Sequence, residues 1–120
     1  MIDEGIRSDL AQVGVDYAEM VSRFMDREEM FVRYFVSFFG AADGVVASLE
    51  EDIGRGDFAA AEHDAHALKG LAGNIGLNGV YDIAAKIVSD LRGARTDSCA
   101  EDFRRLREIY VRAQEISQKM

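Results

Sequence analysis

The chain has 120 residues, 48% of them apolar and 30% charged, enough for one domain around one core and unlike a disordered or fibrous chain. Twenty-two Asp and Glu against fourteen Lys and Arg leave a net charge of −8, which argues against nucleic acid or an anionic membrane as partner, because both require a basic face. Proline is absent and threonine occurs once, at Thr96, so a sandwich or barrel with a turn at roughly every 8–12 residues is disfavoured and helices are expected.

In chain order, Asp16 followed by Glu19 marks a helix start leading into Tyr17, Met20, Val21 and Phe24. Acids at Glu28 and Glu29 then precede Met30, Phe31, Tyr34, Phe35, Phe38 and Phe39, a wide apolar stripe at helical spacing. Gly40 and Gly44 loosen this element, and Val45, Val46, Leu49 and Ile53 form a further stripe up to Gly54-Arg55-Gly56, so the segment predicts one or two helices. Asp57 is a suitable N-cap for the next helix, with Phe58, Ala61, Ala65, Leu68 and Ala72 as its apolar set. After a break at Asn74-Ile75-Gly76, Leu77, Val80, Ala84, Ile87 and Leu91 define a helix ending at Gly93. Asp97 or Ser98 opens the last one, carrying Cys99, Phe103, Leu106, Tyr110 and Ala113 on one side.

Short connections make successive helices antiparallel neighbours. The expected fold is all-α: an up-and-down antiparallel four-helix bundle over 28–120, with an N-terminal segment and short helix over 1–27 laid across it. The start, Met1-Ile2-Asp3-Glu4-Gly5, lacks the apolar stretch of a signal peptide. Arg33, Asp43 and two glycines interrupt the greasiest stretch, Met30 to Leu49, so a buried helix explains it better than a membrane span. The lone Cys99 cannot form an internal disulfide, which fits a reducing compartment. A cytoplasmic monomer is expected.

The chemistry-bearing stretch is Ala65-His66-Ala67-Leu68-Lys69-Gly70-Leu71-Ala72-Gly73-Asn74-Ile75-Gly76. The chain's charge changes sign just before it: residues 1–62 hold 14 acids and 5 bases, whereas 63–120 hold 8 acids and 9 bases. At about 100° per residue, His66 falls roughly 120° from the centre of the helix's apolar face, and Gly70 and Gly73 lie within about 40° of His66. Lys69 lies about one turn along, on the flank nearer the core. Two interior helical glycines cost about 1 kcal/mol each relative to alanine. Close approach by something large, either another helix or a partner protein docking on His66, is a reason to keep them. A neutral imidazole is a competent nucleophile, and an ammonium beside it can hold phosphoryl oxygens.

These residues, His66-Ala67-Leu68-Lys69-Gly70 with Asn74-Ile75-Gly76 downstream, closely resemble the histidine-containing phosphotransfer (HPt) domains of two-component phosphorelays. The likeness extends to Val15-Asp16-Tyr17, the Phe-rich helix, the Gly56-Asp57 turn and the helix after Gly76. The resemblance implies that His66 is phosphorylated at Nε2, that Lys69 steadies the phosphoryl group, and that Gly70 clears space for a receiver domain. Gly73 and Asn74 are then further candidates for partner contact. It also implies that Mg²⁺ belongs to the receiver, so that this chain needs no cofactor, and that the chain is a phosphocarrier without kinase activity. One departure is Ile87-Val88, where the family commonly has a Leu-Glu pair.

Two other readings compete. One is a helical docking module that never carries phosphate, against which His66 and Lys69 both stand. The other is a metal-binding bundle built on His63, His66 and Glu62. The di-iron pattern needs Glu-x-x-His, yet His63 stands three residues before His66 and Ala60 three before His63. Cys99 with a histidine as a thiol protease has no group to orient the base.

Overall fold

A computed structural model describes residues 2–120, with six helices and no strand among them. They are α1 (Glu4–Gln12), α2 (Tyr17–Arg23), α3 (Glu28–Arg55), α4 (Phe58–Asn74), α5 (Asn78–Arg92) and α6 (Cys99–Ser117). Helix α3 packs on α4 and α6, and α5 packs on α4 and α6, so the four long helices close a ring in chain order. This is the expected up-and-down bundle. Its longest dimension is 43 Å, close to the roughly 42 Å that a helix of α3's length spans at 1.5 Å per residue.

Helix α3 is a single 28-residue helix, so Gly40 and Gly44 do not divide it. Phe31, Phe35, Phe38 and Phe39 are buried on its inner side and pack ring against ring at centroid distances of 4.9–5.7 Å. Packing of this kind outweighs two glycine penalties of about 1 kcal/mol each. The helix is long and apolar enough to cross a membrane, but its apolar face is the inside of the bundle. It ends at Gly56, whose left-handed φ of 71° lets the Asp57 N–H bond back to the Asp52 carbonyl at 2.9 Å. Asp57 then caps α4, its carboxylate accepting from the Ala60 N–H at 3.2 Å.

The N-terminal segment holds two short helices where the sequence predicted one. Asp16 caps α2 as expected, accepting from the Glu19 N–H at 3.1 Å. Helix α1 is the addition: Asp3 caps it, and only Ile6 and Leu10 are buried, too few apolar residues to mark a stripe. It packs on α6 and α2 on α3, and the Val13 carbonyl accepts from the Gly79 N–H at 3.0 Å, which ties the segment to the start of α5. Ser98 rather than Asp97 is the N-cap residue of α6, although its side chain makes no capping bond.

Candidate functional site

Helix α4 is held from three sides, and its fourth side carries the candidate residues. Its inner face is Ala61, Ala65, Leu68 and Ala72, all fully buried. Small side chains there let the helix sit close to its neighbours. On the α3 flank the Ser48 hydroxyl donates to Asp64 at 2.7 Å, and on the α5 flank Arg92 pairs with Glu62 at 3.2 Å. The outer face between these braces presents His63, His66, Ala67, Gly70 and Asn74, all exposed. A turn ends the face: Gly76, at φ 69°, stands where a side chain would collide with Met20.

Neither histidine makes a hydrogen bond or ion pair to another of the described residues. The His66 ring is a free, solvent-facing imidazole on a braced helix. One turn further on, a Cβ at Gly70 would meet nothing within 4 Å. No internal packing therefore accounts for that glycine, and open space next to the imidazole is what it provides. Gly73 differs. A Cβ there would come within 3.3 Å of two ring carbons of Tyr81 on α5, so its missing side chain lets α5 approach and has a reason inside the molecule. Asn74 is exposed at the end of α4, on the rim of a mostly apolar groove of about 180 Å³ between α3 and α4 that Tyr34, Ala41 and Leu71 also line.

The Lys69 ammonium lies 6.0 Å from the centre of the Tyr81 ring and has no carboxylate partner among the described residues. A cation over an aromatic face is positioned without being neutralised, so its charge stays available to an anion arriving at the next turn. Tyr81 is a residue the sequence did not single out. Its role comes from packing across two helices, and spacing along one helix cannot reveal that. Arg23 was missed for the same reason: it reaches from α2 to the Gly73 carbonyl at 3.4 Å while paired with Glu19 at 2.6 Å. Among the described residues no three His, Cys, Asp or Glu side chains gather as metal ligands. Cys99 is buried on α6, and burial pushes its thiol pKa up, away from a nucleophilic thiolate.

The family model of the Hpt domain matches residues 33–116, which takes in all of α4 and α5 and most of α3 and α6. The chain belongs to the Hpt-domain family. The match starts within α3, so the Val15-Asp16-Tyr17 part of the resemblance falls outside it. No curated protein and no solved structure matches the chain. Hpt domains serve phosphotransfer in two-component signalling, as phosphocarriers rather than catalysts, and they interact with receiver domains.

Proposed function

We propose that this Hpt domain shuttles a phosphoryl group between receiver-domain aspartates through His66. The observation that carries the reading is the pairing of an unbonded, exposed imidazole with a glycine one turn away whose Cβ space is empty. In the forward step the Nε2 lone pair attacks the phosphorus of a receiver's phospho-aspartate. The P–N bond forms as the P–O bond to the aspartyl carboxylate breaks, and the carboxylate leaves with that electron pair. The return step reverses these changes on a second receiver. The ammonium of Lys69 offsets negative charge on the phosphoryl oxygens in both directions.

The bundle contributes position and access. Helix α4 is clamped by Ser48–Asp64 and Arg92–Glu62, which fixes the imidazole without touching it. Gly70 and Asn74, with the groove between Tyr34 and Leu71, form the docking face, and Gly73 lies at its margin. The Mg²⁺ and remaining catalytic groups are assigned to the receiver, with none on this chain, and the site of action to the cytoplasm.

The test is transfer from a panel of phosphorylated receivers, followed as label on this chain. The label is expected to be acid-labile and stable to alkali, lost in His66→Gln and kept in His63→Gln. Equal labelling of His66→Gln and the wild type would overturn the assignment, and loss only in His63→Gln would move it by one turn.

A further inference from the structure

The outer face of α3 is covered by nothing in the bundle, and its pattern is self-complementary. At about 100° per residue, Glu29, Arg33, Val36, Gly40, Gly44, Ala47, Glu51 and Arg55 fall in one strip about 100° wide, and all of them are exposed. Gly40 and Gly44 occupy the middle of the strip, and a Cβ at either would meet nothing within 4 Å. They carry a helix-propensity penalty that no contact inside the molecule explains. Val36, at 44% exposed, is one of four large apolar side chains exposed among the described residues.

The charges decide what fits there. Measured from Ala42, Glu29 lies as far out as Arg55, Arg33 as far out as Glu51, and Gly40 as far out as Gly44. Every charged position is matched by one of opposite sign across that point. A second α3 laid antiparallel about a two-fold axis at residue 42 would thus pair Glu29 with Arg55 and Arg33 with Glu51. Each pair occurs twice, and glycine meets glycine at the centre. Arg33 and Glu29 have no ion-pair partner within the chain among the described residues, and Glu51 has only Arg55, at 3.3 Å. Asp43, the acid nearest the axis, is drawn aside to Tyr110 and Gln114 of α6. The strip's four charges sum to zero, so the net charge of −8 is carried elsewhere and does not oppose contact here.

We infer that this face binds a second copy of the chain, forming a two-fold dimer through antiparallel α3 helices. Arg33, Gly40 and Ala47 recur at intervals of seven, the repeat that keeps two crossing helices in contact along their length, and small residues at the crossing let the backbones approach. The interface is isologous, as in most homodimers. Ala41 and Ser48, which face α4, lie about 90° and about 70° round α3 from the centre of the strip, so the dimer contact is centred away from each copy's His66 face. The inference does not depend on what His66 does, and it replaces the monomer expected from the sequence.

The experiment is sedimentation equilibrium across a concentration series on the whole chain. Wild type is expected to rise from 13.3 kDa toward twice that mass, with weaker association as salt is raised. Arg33→Glu alone and Glu51→Arg alone are each expected to weaken the dimer tenfold or more by setting like charges opposite each other. The double swap Arg33→Glu/Glu51→Arg is expected to recover association. Gly44→Gln, placed in open space, is expected to fold and to block the central approach. A chain that stays at 13.3 kDa throughout would overturn the inference. So would a dimer indifferent to Gly44→Gln and to both single reversals, or a double swap no better than either single one.

Discussion

Helix α4 and the seam between α5 and α6 each carry a lysine, and they treat it in opposite ways: one is left without a carboxylate, the other is surrounded by them. On the seam, the Lys86 ammonium donates to Asp102 at 2.6 Å, Asp90 at 2.8 Å and Ser98 at 3.1 Å, and the two carboxylates, Asp102 above all, raise its pKa. Asp102 is buried and also accepts from Arg105 at 3.2 Å. On α4, Lys69 stands over the Tyr81 ring with no carboxylate in reach, beside an imidazole that is also unbonded. Charge satisfied inside the chain stabilises the fold and is unavailable to anything else. Charge left free adds little stability and is ready for an arriving phosphoryl group. The difference separates the structural lysine from the one the proposed transfer would use, without reference to sequence spacing.

The sharpest way to break this comparison is to fill the space the α4 face leaves empty. Gly70→Gln puts a side chain where nothing lies within 4 Å, and it is expected to stabilise the chain by up to about 1 kcal/mol through helix propensity. Phosphotransfer is nevertheless expected to fall tenfold or more, read as single-turnover rates beside a melting curve. Gly73→Ala is the control, because its Cβ would press on the Tyr81 ring at 3.3 Å. Its effect should appear as a small change in stability with transfer largely kept. Wild-type transfer in Gly70→Gln would mean that the empty space serves no partner.

The seam should break the other way. Lys86→Met leaves the buried Asp102 carboxylate with Arg105 and Ser98 only, and an under-satisfied buried acceptor costs about 1–3 kcal/mol. A melting temperature lowered by several degrees with unchanged transfer is expected. A smaller effect belongs to Lys69→Ala: no loss of stability, nearly unchanged receiver affinity, and transfer slowed severalfold or a shorter-lived phosphohistidine. A lone charge at an interface rim contributes little affinity, and this one has work only when phosphate is present. If Lys69→Ala destabilises the fold as much as Lys86→Met does, the contrast between the two lysines fails.

How much of this could be read from the sequence follows the same division. The long helices, the Asp57 cap and the turn at Gly76 were legible because they depend on neighbours within a turn or two. So was the exposed His66, since its angle from the apolar face is a property of one helix. Helix α1 was not, because two buried residues on nine make no periodic signal. Tyr81 beneath Lys69, which of the two glycines admits a neighbouring helix, and Arg23 at the end of α4 were also hidden. Each is set by a contact between helices, and helix-to-helix register is not written in the periodicity of either partner.

The last and smallest expected effect concerns two carboxyls that respond to pH in opposite directions. Asp52 on α3 is buried, accepts from Arg55 at 2.8 Å through one oxygen, and has no donor for the other. The hydrogen bond that Asp52 can donate to the Asp64 carboxyl only when protonated raises its pKa most, followed by burial and the negative charge of Asp64; Arg55 opposes the rise and Asp57 adds to it. The folded state therefore keeps a proton that the unfolded chain releases at the ordinary carboxylate value. Stability from this group is full at low pH and is lost as pH rises from that value through the raised one. Asp90 on the seam is the mirror case. Hydrogen bonds from Lys86 above all, and from Arg95, hold its pKa below the usual range, so its contribution is present at neutral pH and is lost as pH falls. Asp52→Asn should thus melt close to wild type at about pH 4 and gain on it as pH rises to neutral, because the amide never ionises and can donate to Asp64. Asp90→Asn should show its deficit at neutral pH and lose it on acidification. Melting curves of the three proteins at matched ionic strength decide the matter. Parallel pH profiles for Asp52→Asn and wild type would mean that Asp52 is an ordinary ionised carboxylate paired with Arg55, and that the α3–α4 contact holds no proton.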